Sequence, residues 1–378
     1  MVREDVVIIK RCLFRVICVA ILCVSCNGRS GSETGQTEQS NALFPVSKDG
    51  KWGYIDATGK MIIQPEFDAA GYFSEGLAVV KIGSGYGYIN KAGEIAIKPQ
   101  FDQADQFSEG LARVKIDGKW GYVNKIGEVV IKPQFDVAKN FYEGLALVNP
   151  IVSTMTDETS GIVKVQRFFR FGFIDRTGNA AVKQHFDMAW NFSEGLAPVR
   201  IGGKWGYMNK AGEIVIKPRF DIVEGFSEGL ADVKIGQDWG YIDKSGSIVI
   251  NARFEEASGF SEGLAPVRID GRWGYIEKTG KIVINPQFDE VGSFSEGLTA
   301  IRIGTNWGYV NRVGEIGIKP QFFHAEEFSG GVARVTIIPI PDLDELDDLS
   351  EAEVLKRVRI LKQGYIDRKG NYVWEPTE

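Results

Sequence analysis

Cysteine disappears from this chain after residue 26: Cys12, Cys18, Cys23 and Cys26 are the full set. The long remainder therefore has no disulfide framework and no thiolate metal site. Histidine is nearly absent. His185 and His324 are far apart in sequence and fall at different repeat positions, so they do not form a metal pair. A Walker loop, a His-Glu-x-x-His helix and a dinucleotide-binding glycine motif are all missing. Positive charge is not in excess either, with 44 Lys and Arg against 50 Asp and Glu and a formal charge of −6. That balance lacks the electrostatic footprint of a nucleic-acid binder. Long apolar runs are absent too. The longest candidate, Leu13 to Val24, is broken by Arg15 and falls short of the roughly 20 apolar residues a membrane span needs.

That short run has a use. Lys10 and Arg11 precede it, and Cys23-Val24-Ser25-Cys26 follows. Charge, apolar stretch and small residues before a cut site make residues 1–25 a signal peptide. The final four residues resemble the lipobox of bacterial lipoproteins, with Cys23 in place of the usual Leu. The resemblance implies that Cys26 is lipidated and that the protein is exported and anchored in the cell envelope, at the outer membrane or the cell surface; the alternative is a periplasmic or secreted protein. Residues 26–42, Gly-, Ser- and Thr-rich, are then a flexible tether with a reach of roughly 20 Å.

What is abundant is glycine, 45 residues, and self-similarity. An aromatic-Gly pair begins at Trp52, Tyr86, Trp120, Phe171, Trp205, Trp239, Trp273 and Trp307, with a degenerate ninth copy at Gln363-Gly364. The spacing is 34 residues except for 51 before Phe171 and 56 before Gln363. Each unit alternates like three strands. In Trp205–Asp238 these are Trp-Gly-Tyr-Met-Asn, Glu-Ile-Val-Ile-Lys and Leu-Ala-Asp-Val-Lys-Ile. Gly212 serves a hairpin turn between the first two. Pro218 is expected to end the second, since it cannot donate to a ladder.

The recurring Trp-Gly-Tyr-Ile-Asp/Asn-Lys-x-Gly, Ile/Val-Lys-Pro-x-Phe-Asp and Phe-Ser-Glu-Gly-Leu-Ala-x-Val segments resemble the WG-repeat family over residues 43–376. Tyr86, Phe171 and Gln363 depart from the family aromatic. The resemblance implies a bacterial surface or secreted protein and little about its role.

The fold expected is all-β: nine tandem three-stranded meanders stacked as an open superhelical or solenoid array. The alternative is a closed propeller-like ring, which becomes feasible if the Phe-Asp connector adds a fourth strand. Insertions interrupt the repeat near residues 149–169 and 336–362. Both fall in the hairpin leading into the Trp-Gly strand. The second contains an acidic run, Asp342 to Asp348, and a capping-box pattern at Ser350–Glu353.

The candidate site residues are the repeat aromatics and the repeated carboxylates. The aromatics could stack sugars, yet Tyr86 and Phe171 replace Trp without disturbing their surroundings, which suits packing. The tyrosines at the third position, Tyr54, Tyr88, Tyr122, Tyr207, Tyr241, Tyr275 and Tyr309, share that face and are expected to extend the same apolar layer, with their hydroxyls toward water or a partner. Asp68, Asp102, Asp136, Asp187, Asp221 and Asp289 follow Phe. Glu75, Glu109, Glu143, Glu194, Glu228, Glu262 and Glu296 precede Gly. An active site is needed once, whereas these recur in almost every unit. They are expected to serve connectors and turns. The sequence thus points to a non-enzymatic array without cofactor, binding a protein or, alternatively, a glycan of the cell wall.

Overall fold

The structure is a computed structural model that describes residues 42–149, 151–156, 163–168, 171–182, 186–337 and 362–377. Cys26, the signal peptide, the tether, His185 and the acidic run lie outside them. The chain divides into two compact units. Met1–Glu38 with Ile338–Leu361 lie outside the described residues, and the other unit holds every strand below.

Nine small antiparallel sheets follow one another along the chain, together with a separate two-stranded hairpin. We number the sheets as blades 1 to 9. Blade 6 is representative. Its strands are Ile222–Val223, Leu230–Ile235, Asp238–Asp243 and Ile248–Phe254, hydrogen-bonded in that order. They are called the short, Leu-Ala, Trp-Gly and outer strands. The connector thus adds a fourth strand of two residues, and the expected three-stranded meander becomes a blade. Among the described residues, blade 1 (44–67) has three strands and no short strand.

The Leu-Ala strand begins at a two-residue turn. Ser227 and Leu230 exchange both backbone hydrogen bonds, with Glu228 at φ 52° and Gly229 at φ 87° between them. Two positive φ values define the I′ pattern, whose twist matches the flanking strands. The Trp-Gly strand pairs with the outer strand through a bulge. Trp239 lies opposite Phe254 and Tyr241 opposite Ile250, so the outer strand carries extra residues beside Gly240. In blade 5, Pro218 sits in that bulge, and the strand continues to Phe220. Proline does not end the strand, because a bulge asks it for no ladder donor.

The core lies between blades. Leu230, Tyr241, Ile250 and Phe254 of blade 6 pack with Phe260, Ala265, Val267 and Ile276 of blade 7. One sheet cannot bury both faces alone, so each blade depends on its neighbours. The same packing joins the last blade to the first. Phe44, Val46 and Ile55 of blade 1 form one buried cluster with Val332 and Tyr365 of blade 9. The Tyr365 hydroxyl donates to the Pro45 carbonyl at 3.0 Å. The array is therefore a closed nine-bladed ring, a β-propeller, and the open solenoid expected from the repeat number is corrected. Interfaces built from one repeat favour neither form locally, and only the accumulated angle between blades decides closure.

The first insertion forms its own hairpin, Ile151–Thr156 with Val163–Phe168, on blade 4. The second interrupts the corresponding turn of blade 9, where Ile337 pairs with Lys362.

Candidate functional site

The tyrosine hydroxyls do not face water. Tyr54, Tyr88, Tyr122, Tyr207, Tyr241, Tyr275 and Tyr309 are fully buried. Each donates to a carbonyl of the connector entering the next blade, as Tyr241 does to Ser258 at 2.8 Å. The expected outward hydroxyl is corrected: a buried phenol needs a partner, and the passing backbone supplies it. Each ring also packs on the Phe of that connector, with Tyr241 and Phe260 centroids 5.0 Å apart.

The repeat aromatics sit one register away on the same face. Trp205 is buried at 6% exposure. Trp52, Tyr86, Trp120, Phe171, Trp239, Trp273 and Trp307 are half-buried. They pack on the core edge and under basic side chains, such as Arg113 at 4.8 Å from the Trp120 ring. The adjacent glycine is steric. A Cβ on Gly240 would lie 2.6 Å from the Ile250 carbonyl oxygen. The close approach is made by the bulged outer strand of the same blade.

The repeated carboxylates are engaged locally, all but Asp136 by a backbone N–H and Asp136 by the Lys119 side chain. Asp221 accepts from Lys204 of the preceding blade at 2.5 Å and from the Gly236 N–H at 3.0 Å. These bonds hold its carboxyl below the usual range, Lys204 contributing most. Glu228 accepts from the Gly263 N–H of the next turn at 3.0 Å and pairs with Lys278 at 3.1 Å. Glu75, Glu109, Glu143, Glu194, Glu262 and Glu296 latch equivalent glycines. Gly225–Gly229 and Gly259–Gly263 spell Gly-x-Ser-x-Gly, the pattern of a hydrolase nucleophile elbow. Here Ser227 and Ser261 donate to the carbonyls of Phe260 and Phe294, with Glu-Gly I′ turns after them. His324 stands edge-on to Trp307 at 5.5 Å, and burial lowers its pKa. Among the described residues, no group of three or more His, Cys, Asp or Glu is placed to hold a metal ion.

What distinguishes one blade from another is therefore where the repeat is broken. In blades 3 and 9 the third residue of the Leu-Ala strand is Arg, pairing with a connector carboxylate: Arg113 with Asp105 and Arg334 with Glu326. Blade 6 places Asp232 there beside Glu224. Asp232 is fully buried, and neither of its carboxyl oxygens has a partner. Burial, reinforced by the Glu224 charge, pushes its pKa up to about 7. Blade 5 carries Trp190 at the connector position. It is 46% exposed and stacked on Trp205 at 6.0 Å and 17°. These departures were individually visible in the sequence, but only the register between strands shows which partners each one loses.

The ring thus belongs to the class of β-propellers whose blades are single tandem repeats. Residues 52–85, 86–120, 120–149, 171–205, 205–237, 239–273, 273–304 and 307–337 match the WG containing repeat, and the chain belongs to that family. No curated protein matches it in sequence. Among solved structures it is similar to Hsv2p of Kluyveromyces lactis, at 9% identity over 73% of this chain and 94% of that one, TM-score 0.38. It is also similar to PorZ of Porphyromonas gingivalis, described as a bacterial surface component of the type-IX secretion system. There the identity is 9% over 71% of this chain and 41% of that one, with TM-score 0.31. A third, the dihydro-heme d1 dehydrogenase NirN, matches at 12% identity over 93% and 75%, TM-score 0.40.

Proposed function

We propose that this protein is a non-enzymatic scaffold, exported and held to the envelope through Cys26, whose ring presents one face to a protein partner. The observation that carries this reading is where the repeat is interrupted. The recurrent Asp, Glu, Ser and Tyr groups are engaged in joining blades, so the regular surface has little chemistry to spare. Both insertions enter at the turn between the Leu-Ala and Trp-Gly strands, on blades 4 and 9, nearly opposite each other around the ring. Insertions in repeat arrays favour the binding face. Residue 42 enters the Leu-Ala strand of blade 1 from its other end.

Glycan stacking along the repeat aromatics has weaker support, because those rings are packed against blade edges and basic side chains. Capture from isolated envelopes, with residues 42–378 as bait, tests the proposal. A partner lost after protease treatment of the envelope, and lost again when residues 151–168 or 338–361 are replaced by a short turn, supports it. Capture that survives protease and disappears after glycan hydrolysis overturns it.

A further inference from the structure

We infer that blade 5 carries a recognition site for an acidic peptide segment, a carboxylate flanked by an apolar side chain, built from Arg200, Met188, Trp190 and Trp205. The inference rests on the scaffold reading above and names the chemistry of one contact on the partner.

Register places the four side chains together. Met188 lies opposite Arg200, and Arg200 lies opposite Trp205. Directly opposed residues share a face and touch. Trp190 is two residues beyond Met188 and stacks on Trp205 at 6.0 Å. Met188 and Trp190 are 38% and 46% exposed, whereas Trp205 is buried. The result is a rigid aromatic step with a soft thioether and a guanidinium at its edge.

Comparison with the other blades shows what is missing. In blade 7 the residue opposite Arg268 is Glu256, and the two form an ion pair at 2.5 Å. In blade 8 Glu290 faces Arg302 at 2.7 Å. Blade 5 keeps the arginine and replaces the carboxylate with Met188. The Nε of this arginine is buried without an acceptor in all three blades, so the difference lies at the far end of the guanidinium, where Arg200 Nη1 finds only the Met188 sulfur, at 3.7 Å. A thioether is a weak acceptor. A guanidinium is built to take a carboxylate through paired donors. Blades 7 and 8 thus display, inside the ring itself, the group that Arg200 lacks. The exchange also leaves an exposed Trp and Met where a charged pair would exclude apolar ligands. Trp and Arg together are the residue types that dominate binding energy at protein interfaces, and Met adapts to varied apolar partners.

Position agrees with the scaffold reading. Arg200 is one residue from the end of its strand, at the turn Ile201–Lys204. The neighbouring blade 4 carries its inserted hairpin at the same turn. The step therefore lies at the insertion edge.

The test uses the full chain and a fluorescein-labelled peptide of alternating Glu and Leu, with a Gln-Leu peptide as control, read by anisotropy. The Glu-Leu peptide is expected to bind about tenfold more tightly than the control and to weaken with salt. Met188→Glu supplies the carboxylate that blades 7 and 8 already have. It should reduce binding about tenfold while leaving the melting temperature unchanged or raised. Trp190→Ser, the residue of blade 7, should reduce it similarly. Equal affinity for the two peptides, undiminished binding by Met188→Glu, or no binding to the wild-type protein at millimolar peptide overturns the inference. A partner captured through the hairpins, with any of those results, leaves the scaffold standing and removes only this site.

Discussion

Tyr365 and Pro45 stand 320 residues apart in the chain, yet the hydroxyl of one donates to the carbonyl of the other at 3.0 Å. One blade earlier Tyr309 donates to Glu326 of a connector; at the seam the same hydroxyl reaches a carbonyl of the Leu-Ala strand itself. Blade 1 has no connector to offer a Phe beside this tyrosine. Phe44 takes that place, its ring 5.6 Å from Tyr365, at a position where blades 2 to 7 carry Ala.

This makes Phe44→Ala a useful substitution, since it moves blade 1 toward the repeat consensus. We expect it to destabilise the ring by about 2–5 kcal/mol, the cost of a core Phe truncation softened by partial collapse. Tyr365→Phe should cost about 1–2 kcal/mol through a buried carbonyl left without its donor. Denaturant midpoints at constant slope would measure both. A neutral Phe44→Ala would mean that the seam contributes little to closure.

In the Trp-Gly pair we expect the glycine to matter more than the aromatic. Gly240→Ala forces a Cβ to 2.6 Å from the Ile250 oxygen and should cost more than about 3 kcal/mol, among the largest single-residue effects. Trp239→Phe, which introduces the aromatic that blade 4 already carries at Phe171, should cost about 1 kcal/mol. Thermal melts of the two variants compare them directly. The reverse order would place the determinant in the ring instead of the backbone approach.

Glu228 holds φ 52°, a region that charges a side-chain-bearing residue a local strain, and its carboxylate latches Gly263. Glu228→Gly relieves the strain as it removes the latch, while Glu228→Ala removes the latch alone. Alanine should therefore be the less stable by about 1 kcal/mol. Urea titration of the two proteins checks the order, and equal stabilities would show that the turn is unstrained.

Asp232 gives the ring a pH signature. The groups facing it are Glu224, Tyr207 and Tyr241. Its carboxyl titrates near 3.8 when unfolded and at about 7 in the ring, so the folded state binds the extra proton. That contribution to stability is complete below pH 3.8, is lost as pH rises toward 7, and stays lost above it. Asp232→Asn should flatten this part of the profile and stabilise the protein at pH 8 by up to roughly 4 kcal/mol. Melting curves from pH 4 to 8 read the effect. Parallel profiles for the two proteins would show that Asp232 is solvated or paired.

The sequence made much of the fold legible. Period, strand identity, the turn role of the Ser-Glu-Gly glutamates and both insertion points follow from spacing. The direction of the tyrosine hydroxyls did not, because alternation assigns a face and cannot say that the next connector lies across it. Ring closure was hidden for a related reason, since each interface contacts only its neighbour. Yet the seam left marks. Gly330 stands where blades 2 to 8 carry the latching Glu, and a Cβ there would meet the Phe44 ring at 3.1 Å. Phe44 and Gly330 are the first and last units accommodating each other, and their partnership is readable only when the ends are imagined side by side. Trp190 went unremarked because an aromatic in a connector breaks no strand pattern.

Among the described residues every blade is cut from one run of the chain, and blade 1 borrows no strand from the far terminus. Heredity can therefore edit this ring in whole numbers. Duplicating or deleting one repeat in the gene would add or subtract one complete blade and leave the remaining latches in phase, with the angle between blades readjusting to keep the ring closed. Only the copies bearing Phe44 and Gly330 are fixed to their places, so new copies can enter anywhere except at the seam.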